Sequence, residues 1–242
     1  MVNYWLQIKQ ILLPEHCLLC KKASGIESNT GLCKDCTENL PWLAFQQSCQ
    51  RCALPLNKNT GQSALCGQCQ KQLPAFDACH CLFHYQFPID KLISRFKFNQ
   101  QLSYSRLFGY LLADQIHARY QPSSLPKAII PVPLHKRRLR ERGFNQAQEI
   151  ARICSNALNL PLNTNQCQRS KHTDHQLGLS ALERRRNLRR AFTSKPFPPD
   201  RRIALVDDVM TTGTTLNELA SCLKKAGCQE VHLWCIARAH RP

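Results

Sequence analysis

No apolar run in this chain approaches the roughly 20 residues that a membrane span needs, so bilayer insertion is not expected. The start, Met1-Val-Asn-Tyr-Trp-Leu-Gln-Ile-Lys9, lacks the charged segment and apolar core of a secretory leader, which leaves the reducing cytoplasm as the expected compartment. Acids are scarce: 16 Asp and Glu face 33 Lys and Arg, for a formal net charge of +17. That excess favours anionic partners, phosphorylated small molecules or nucleic acid, without choosing between them. No aromatic residues interleave with the basic clusters as a single-strand-binding groove would use them.

Cysteine, by contrast, is abundant and uneven. Of 15 cysteines, ten lie before residue 82 and five after residue 150, which divides 242 residues into two modules. Four Cys-x-x-Cys pairs, Cys17/Cys20, Cys33/Cys36, Cys49/Cys52 and Cys66/Cys69, are separated by 12, 12 and 13 residues. Each knuckle sets two thiolates on one side of a tight turn, and two knuckles complete a tetrahedral four-thiolate zinc shell, so two structural zinc sites are expected. Even pairing fits zinc ribbons better than the unequal spacings of iron–sulfur proteins. The simplest assignment joins neighbouring knuckles; an interleaved cross-brace would use the same eight ligands. A short helix over 3–12, ended by Pro14, precedes them. Cys79 and Cys81 lie in an alternating stretch that reads as a core strand, with Phe83 on the same face, rather than as a further metal site.

Gln72 to Asp77 is a Pro-containing joint, giving a ribbon domain over 1–72 and an α/β domain over 77–242. Helices are expected after Pro88 up to Lys97, from Leu102 to Tyr120 and after Asn145, an N-cap. Strands are expected at 127–134, near 162–168 and at 230–237. Directly after the second strand come Lys136, Arg137, Arg138, Arg140 and Arg142, a basic loop that suits pyrophosphate and equally a nucleic-acid backbone. Residues 169–190 read as a polar, basic segment, loop-like and then helical from about Ser180, either a cover that closes over a polyphosphate or a solvated Arg-rich face.

The most informative stretch is Ile203-Ala-Leu-Val-Asp-Asp-Val-Met-Thr-Thr-Gly-Thr-Thr215. An apolar strand over 203–206 is followed by Asp207 and Asp208, then by Thr211, Thr212, Gly213, Thr214 and Thr215, then by a helical face beginning at Leu216. A loop between a parallel strand's carboxyl end and a helix start offers free N–H groups to a phosphate, and two carboxylates can accept hydrogen bonds from a vicinal diol. A sugar carrying a 5′-phosphate satisfies both. A core strand whose two acids bind magnesium or water is the simpler alternative.

This stretch resembles the 5-phosphoribosyl-1-pyrophosphate (PRPP) signature of type I phosphoribosyltransferases. Together with the double ribbon, the Pro131-Val-Pro133 strand, Glu141-Arg-Gly-Phe-Asn-Gln146, and Thr173, Gln176, Leu179, Arg184, Asn187 and Phe192 in order, it is similar to the ComF/GntX family of bacterial competence-associated proteins. The resemblance implies a mostly parallel sheet flanked by helices behind a double zinc ribbon, PRPP with Mg as ligand, and a role in DNA uptake or use. Asp207 and Asp208 would be catalytic, Thr211 to Thr215 would hold the 5′-phosphate, and Lys136, Arg137, Arg138 and Arg142 the pyrophosphate. Single-stranded DNA or a competence helicase are the implied partners. Thr211 stands where purine-type members carry an acid, which disfavours a purine base as acceptor. Neither the acceptor nor the oligomeric state is written in these motifs.

Overall fold

A computed structural model describes residues 16–56, 64–98, 103–170, 191–198 and 201–239; the helix expected over 3–12 and most of the basic segment over 169–190 fall outside them. The ribbon region contributes two five-residue helices, α1 (Lys34–Glu38) and α2 (Gly67–Lys71), each starting one residue after a knuckle cysteine. The rest of the chain runs β1 (Ala78–His84), α3 (Ile89–Phe98), α4 (Ser103–Arg119), β2 (Ala128–Pro131), α5 (Lys136–Arg142) and α6 (Gln146–Leu158). It continues with β3 (Cys167–Arg169), β4 (Phe192–Ser194), β5 (Arg202–Met210), α7 (Thr214–Lys225) and β6 (Glu230–Arg238).

Strands β1, β6, β5 and β2 form one sheet in that spatial order, and every pairing within it is parallel. Parallel strands are buried on both faces, which explains the apolar runs Ile203 to Val206 and Leu233 to Ala237. Alternate residues feed two cores. Ile203, Leu205, Val231 and Leu233 pack with α7 and with Cys49, Cys52, Cys66 and Cys69 of the second ribbon. Ala204, Val206, Trp234 and Ile236 pack with α3, α4, α6 and with Cys17 and Cys33 of the first. Each large side chain buried this way contributes roughly 1.5–3 kcal/mol. Helices α4 and α6 touch at Gly109, where a Cβ would lie 2.5 Å from the Cβ of Ile153.

The joint between the ribbons covers the free edge of β1. Leu43 N–H donates to Leu82 O (2.8 Å), His84 N–H donates to Pro41 O (2.9 Å), and Trp42 bridges Phe83 in antiparallel register. An open edge strand is thereby paired. Among the described residues no helix is long and apolar enough to cross a membrane.

Four sequence expectations change. The strand bearing the acid pair does not stop at Val206 but runs to Met210, because β6 is equally long and supplies ladder partners up to Met210↔Arg238. The basic stretch after β2 is not a loop but helix α5, capped by the His135 side chain, which accepts from Arg137 N–H, and ended by Gly143 at φ 78°. The strand near 162–168 divides into one bridge, Ile129↔Leu162, and a separate antiparallel pair, β3 with β4. Phe83 does not join Cys79 and Cys81; it packs on Trp42, with ring centroids 4.6 Å apart.

Candidate functional site

The knuckles assemble sequentially. Cys17, Cys20, Cys33 and Cys36 form one group and Cys49, Cys52, Cys66 and Cys69 the other, with all four sulfurs of each within 4.8 Å of one another. Cys20 and Cys33 Sγ are 3.7 Å apart, and Cys52 and Cys66 Sγ 3.6 Å. A tetrahedral shell of four sulfurs with zinc–sulfur bonds of about 2.3 Å has edges of about 3.8 Å, so both donor sets fit zinc. No ligand position is left for substrate, and these are structural sites.

A cleft of about 700 Å³ opens at the carboxyl ends of β5 and β2. Its floor is the acid pair. Successive strand residues face opposite sides, so Asp207 follows Leu205 and Asp208 follows Val206. Asp208 Oδ2 is 2.9 Å from Lys97 Nζ at the end of α3. Asp207 Oδ1 accepts from Asp208 N–H (2.9 Å). Burial, reinforced by the charge of Asp208, pushes the Asp207 carboxyl up to about 7.

Thr211 to Thr215 form one wall. Gly213 sits at φ 72°, a backbone conformation that favours glycine, and a Cβ there would meet the flexible end of Met210 at 2.6 Å. Gly213, the N-cap of α7, has no side chain to cap it; Thr214 N–H donates to the Thr212 hydroxyl (3.4 Å), and the next N–H groups, of Thr215 and Leu216, have no carbonyl one turn back within the helix. Thr212 and Thr214 hydroxyls are 2.8 Å apart beside them. This pattern of free N–H groups, hydroxyls and a helix terminus suits a phosphate.

The opposite wall is α5, and only part of the basic stretch reaches it. Arg138 and Arg142, four residues apart on one helical face, line the cleft; Lys136, Arg137 and Arg140 are exposed, and Arg137 pairs with Glu141 at 3.0 Å. Arg142 donates to Gln146 Oε1 (2.8 Å). Gln146 itself is buried, and its Nε2 has no partner among the described residues, leaving a donor at the cleft wall. Asn145 accepts from Ala147 N–H as the expected cap and also donates to Val132 O (3.0 Å), tying α6 to the end of β2.

Arg169, the first residue of the basic segment read as a cover for a polyphosphate, does line the cleft, whereas sequence reasoning missed Lys97, Gln146 and the cleft-lining rings of Tyr85 and Phe98. It also missed Arg238. This buried guanidinium donates to Cys52 O (2.9 Å), Met210 O (3.1 Å), Ala239 O (2.7 Å) and Thr211 O, joining the second ribbon to the phosphate-sized loop. Two further ties run alongside. Ala75 N–H donates to Asn217 Oδ1 on α7 (2.6 Å), and Asp77 pairs with both Arg51 and Lys224. None had a sequence signal, since each partner lies far along the chain.

Two family models match: a double zinc ribbon domain over residues 8–70 and a phosphoribosyl transferase domain over residues 142–242. Competence protein F of Haemophilus influenzae is 41% identical over 228 residues, covering 92% of this chain and 96% of that protein. DNA utilization protein YhgH of Escherichia coli K12 is 32% identical, covering 94% and 99% respectively, and competence protein ComFC of Bacillus subtilis is 26% identical, covering 79% and 86%. With both domains matched in order and relatives of 30% identity or more covering over nine-tenths of the chain, it belongs to the ComF/GntX family, a double zinc ribbon joined to a phosphoribosyltransferase fold.

Proposed function

We propose that this protein binds PRPP with magnesium in the cleft, in the service of DNA uptake or utilisation in the cytoplasm. The observation that carries the reading is the convergence, at one sheet end, of the Asp207–Asp208 pair, the start of α7 with its threonines, and Arg138 with Arg142. In this reading the 5′-phosphate rests on Thr211 to Thr215 and the ribose hydroxyls donate to Asp207 and Asp208. The pyrophosphate lies toward Arg138, Arg142 and Arg169. Magnesium would neutralise the charge of the pyrophosphate oxygens. Asp207 must be ionised to accept both hydroxyls, so its raised pKa makes binding favour pH above about 7.

Where turnover occurs, an acceptor lone pair forms the new bond at the anomeric carbon. The anomeric C–O bond breaks with its electron pair on pyrophosphate, and the arginines stabilise the departing charge. Tyr85 and Phe98, 40% and 71% exposed at the cleft rim, offer faces for a planar acceptor. The DNA role is supported by the names of the relatives and by the basic charge.

Calorimetry with magnesium–PRPP tests the reading. Saturable binding to the wild type is expected, with loss in Asp207→Asn/Asp208→Asn. Absence of binding to the wild type, or full affinity in that double variant, would defeat it. Repeating the titration with single-stranded DNA present would show whether the two ligands are coupled.

A further inference from the structure

A third group of sulfurs lies outside both ribbons. Cys79 and Cys81 project from one face of β1, and Cys235 stands directly across from Cys81 on β6, the two residues being register partners. All three thiols are buried, and their sulfurs lie within 4.8 Å of one another. Met210, the last residue of β5, adds a thioether: Cys79 Sγ is 3.4 Å from Met210 Sδ and 3.7 Å from Cys81 Sγ. Four sulfurs from three neighbouring strands therefore converge on one point of the sheet face that carries the second ribbon.

The two ribbon sites give an internal measure of what a metal-ready sulfur cluster looks like in this molecule. Their sulfur–sulfur edges are 3.7 and 3.6 Å, and the third cluster has edges of 3.7 and 3.4 Å. A packed core has no need to place three thiols on one another, since any apolar side chain would fill the space. Three thiolates leave one negative charge around Zn2+ and two around Cu+, and the buried Arg238 guanidinium, which bonds Met210 O, supplies a positive one nearby. A set of three thiolates and a thioether selects soft, thiophilic cations over hard, oxygen-seeking ones.

We propose that Cys79, Cys81, Cys235 and Met210 form a third metal site, closed to substrate, that holds a soft d10 cation, Zn2+ or Cu+. The bound ion would tie β1, β6 and β5 together one residue before the Thr211–Thr215 loop. It enters as the chain folds, because the four donors are enclosed once the sheet is complete.

The test is metal content by plasma mass spectrometry on the untagged full-length protein, purified without chelator and normalised by amino-acid analysis. Three equivalents of zinc plus copper per chain are expected, and the element in excess of the two ribbon zincs identifies the cation. Cys235→Ala and Cys79→Ala should each lower the total by one equivalent and leave the ribbon zincs in place. Two equivalents in the wild type, or a total unchanged by both substitutions, would overturn the proposal and leave the three cysteines as packing. Should either variant fail to fold, the wild-type stoichiometry decides alone.

Discussion

The two ribbons carry the same motif at nearly the same spacing, yet they sit differently. In the second, all four cysteines are buried, whereas in the first Cys20 is exposed and Cys36 half-buried. The second lies in the core beside α7 and is bonded through Arg238 to the residues that begin the phosphate-sized loop. The first packs on the opposite face, beside α3 and α4, and its described polar link to them is Arg106 donating to Ser28 O at 3.2 Å on the surface. Equal motifs thus acquire unequal consequences: one ribbon is a support for the sheet, the other part of the cleft's foundation.

That contrast is open to direct attack. The largest effect is expected from Cys52→Ser, which removes a ligand and disturbs the carbonyl that Arg238 holds. Because structural zinc is coupled to folding, it should cost several kcal/mol and lower the melting temperature far more than Cys20→Ser, as differential scanning calorimetry would record. A difference in the opposite order would reverse the assignment of roles.

Next comes Arg238→Met, which removes the side-chain donor from four carbonyls, of which Met210 O alone keeps a described second donor, Ala239 N–H at 2.9 Å. A loss of about 2–4 kcal/mol in urea unfolding is expected. Arg238→Lys should recover only part of it, since one ammonium cannot span the same fork.

A smaller effect concerns pH. Asp207 holds its proton up to about 7 in the folded chain, while an unfolded aspartate releases it near 4. The unfolded state therefore binds fewer protons in between, and stability falls as pH rises through that window. Asp207→Asn removes this loss, so the variant should gain on the wild type between about pH 4 and about pH 7, by less than the roughly 4 kcal/mol that linkage sets as an upper bound, because solvent screens the half-buried carboxyl. Melting curves at the two ends would show it, and a constant difference would contradict the placement of Asp207.

The smallest expected change separates the two faces of α5. Arg142→Ala should weaken magnesium–PRPP binding about tenfold, the worth of one charge-assisted contact, whereas Arg137→Ala, exposed and paired with Glu141, should leave it within error. Equal losses would mean that the whole basic stretch engages the ligand.

What the sequence made legible was local. The acids, the threonine loop and the helix after it are adjacent in the chain, and their order alone implied a phosphate beside a diol. The knuckles were legible for the same reason, each being a four-residue unit. Residues 136–142 misled because charge density suggests a loop, while the His135 cap and Gly143 make a helix that turns Lys136, Arg137 and Arg140 outward. Lys97 and Arg238 reach the site only through tertiary packing, so no window of sequence contains both partners. Cys79 and Cys81 were correctly placed on a strand, but the register that brings Cys235 beside them is a property of the sheet.

The most direct measurement is a side-by-side calorimetric titration of magnesium–PRPP into the wild type and into Arg238→Met, with circular dichroism confirming that both are folded. The wild type should bind, and the variant should bind at least about tenfold more weakly, because the support of the Thr211 loop has been removed. Equal affinities would contradict the link between ribbon and cleft, and no binding by either protein would contradict the cleft as a PRPP site.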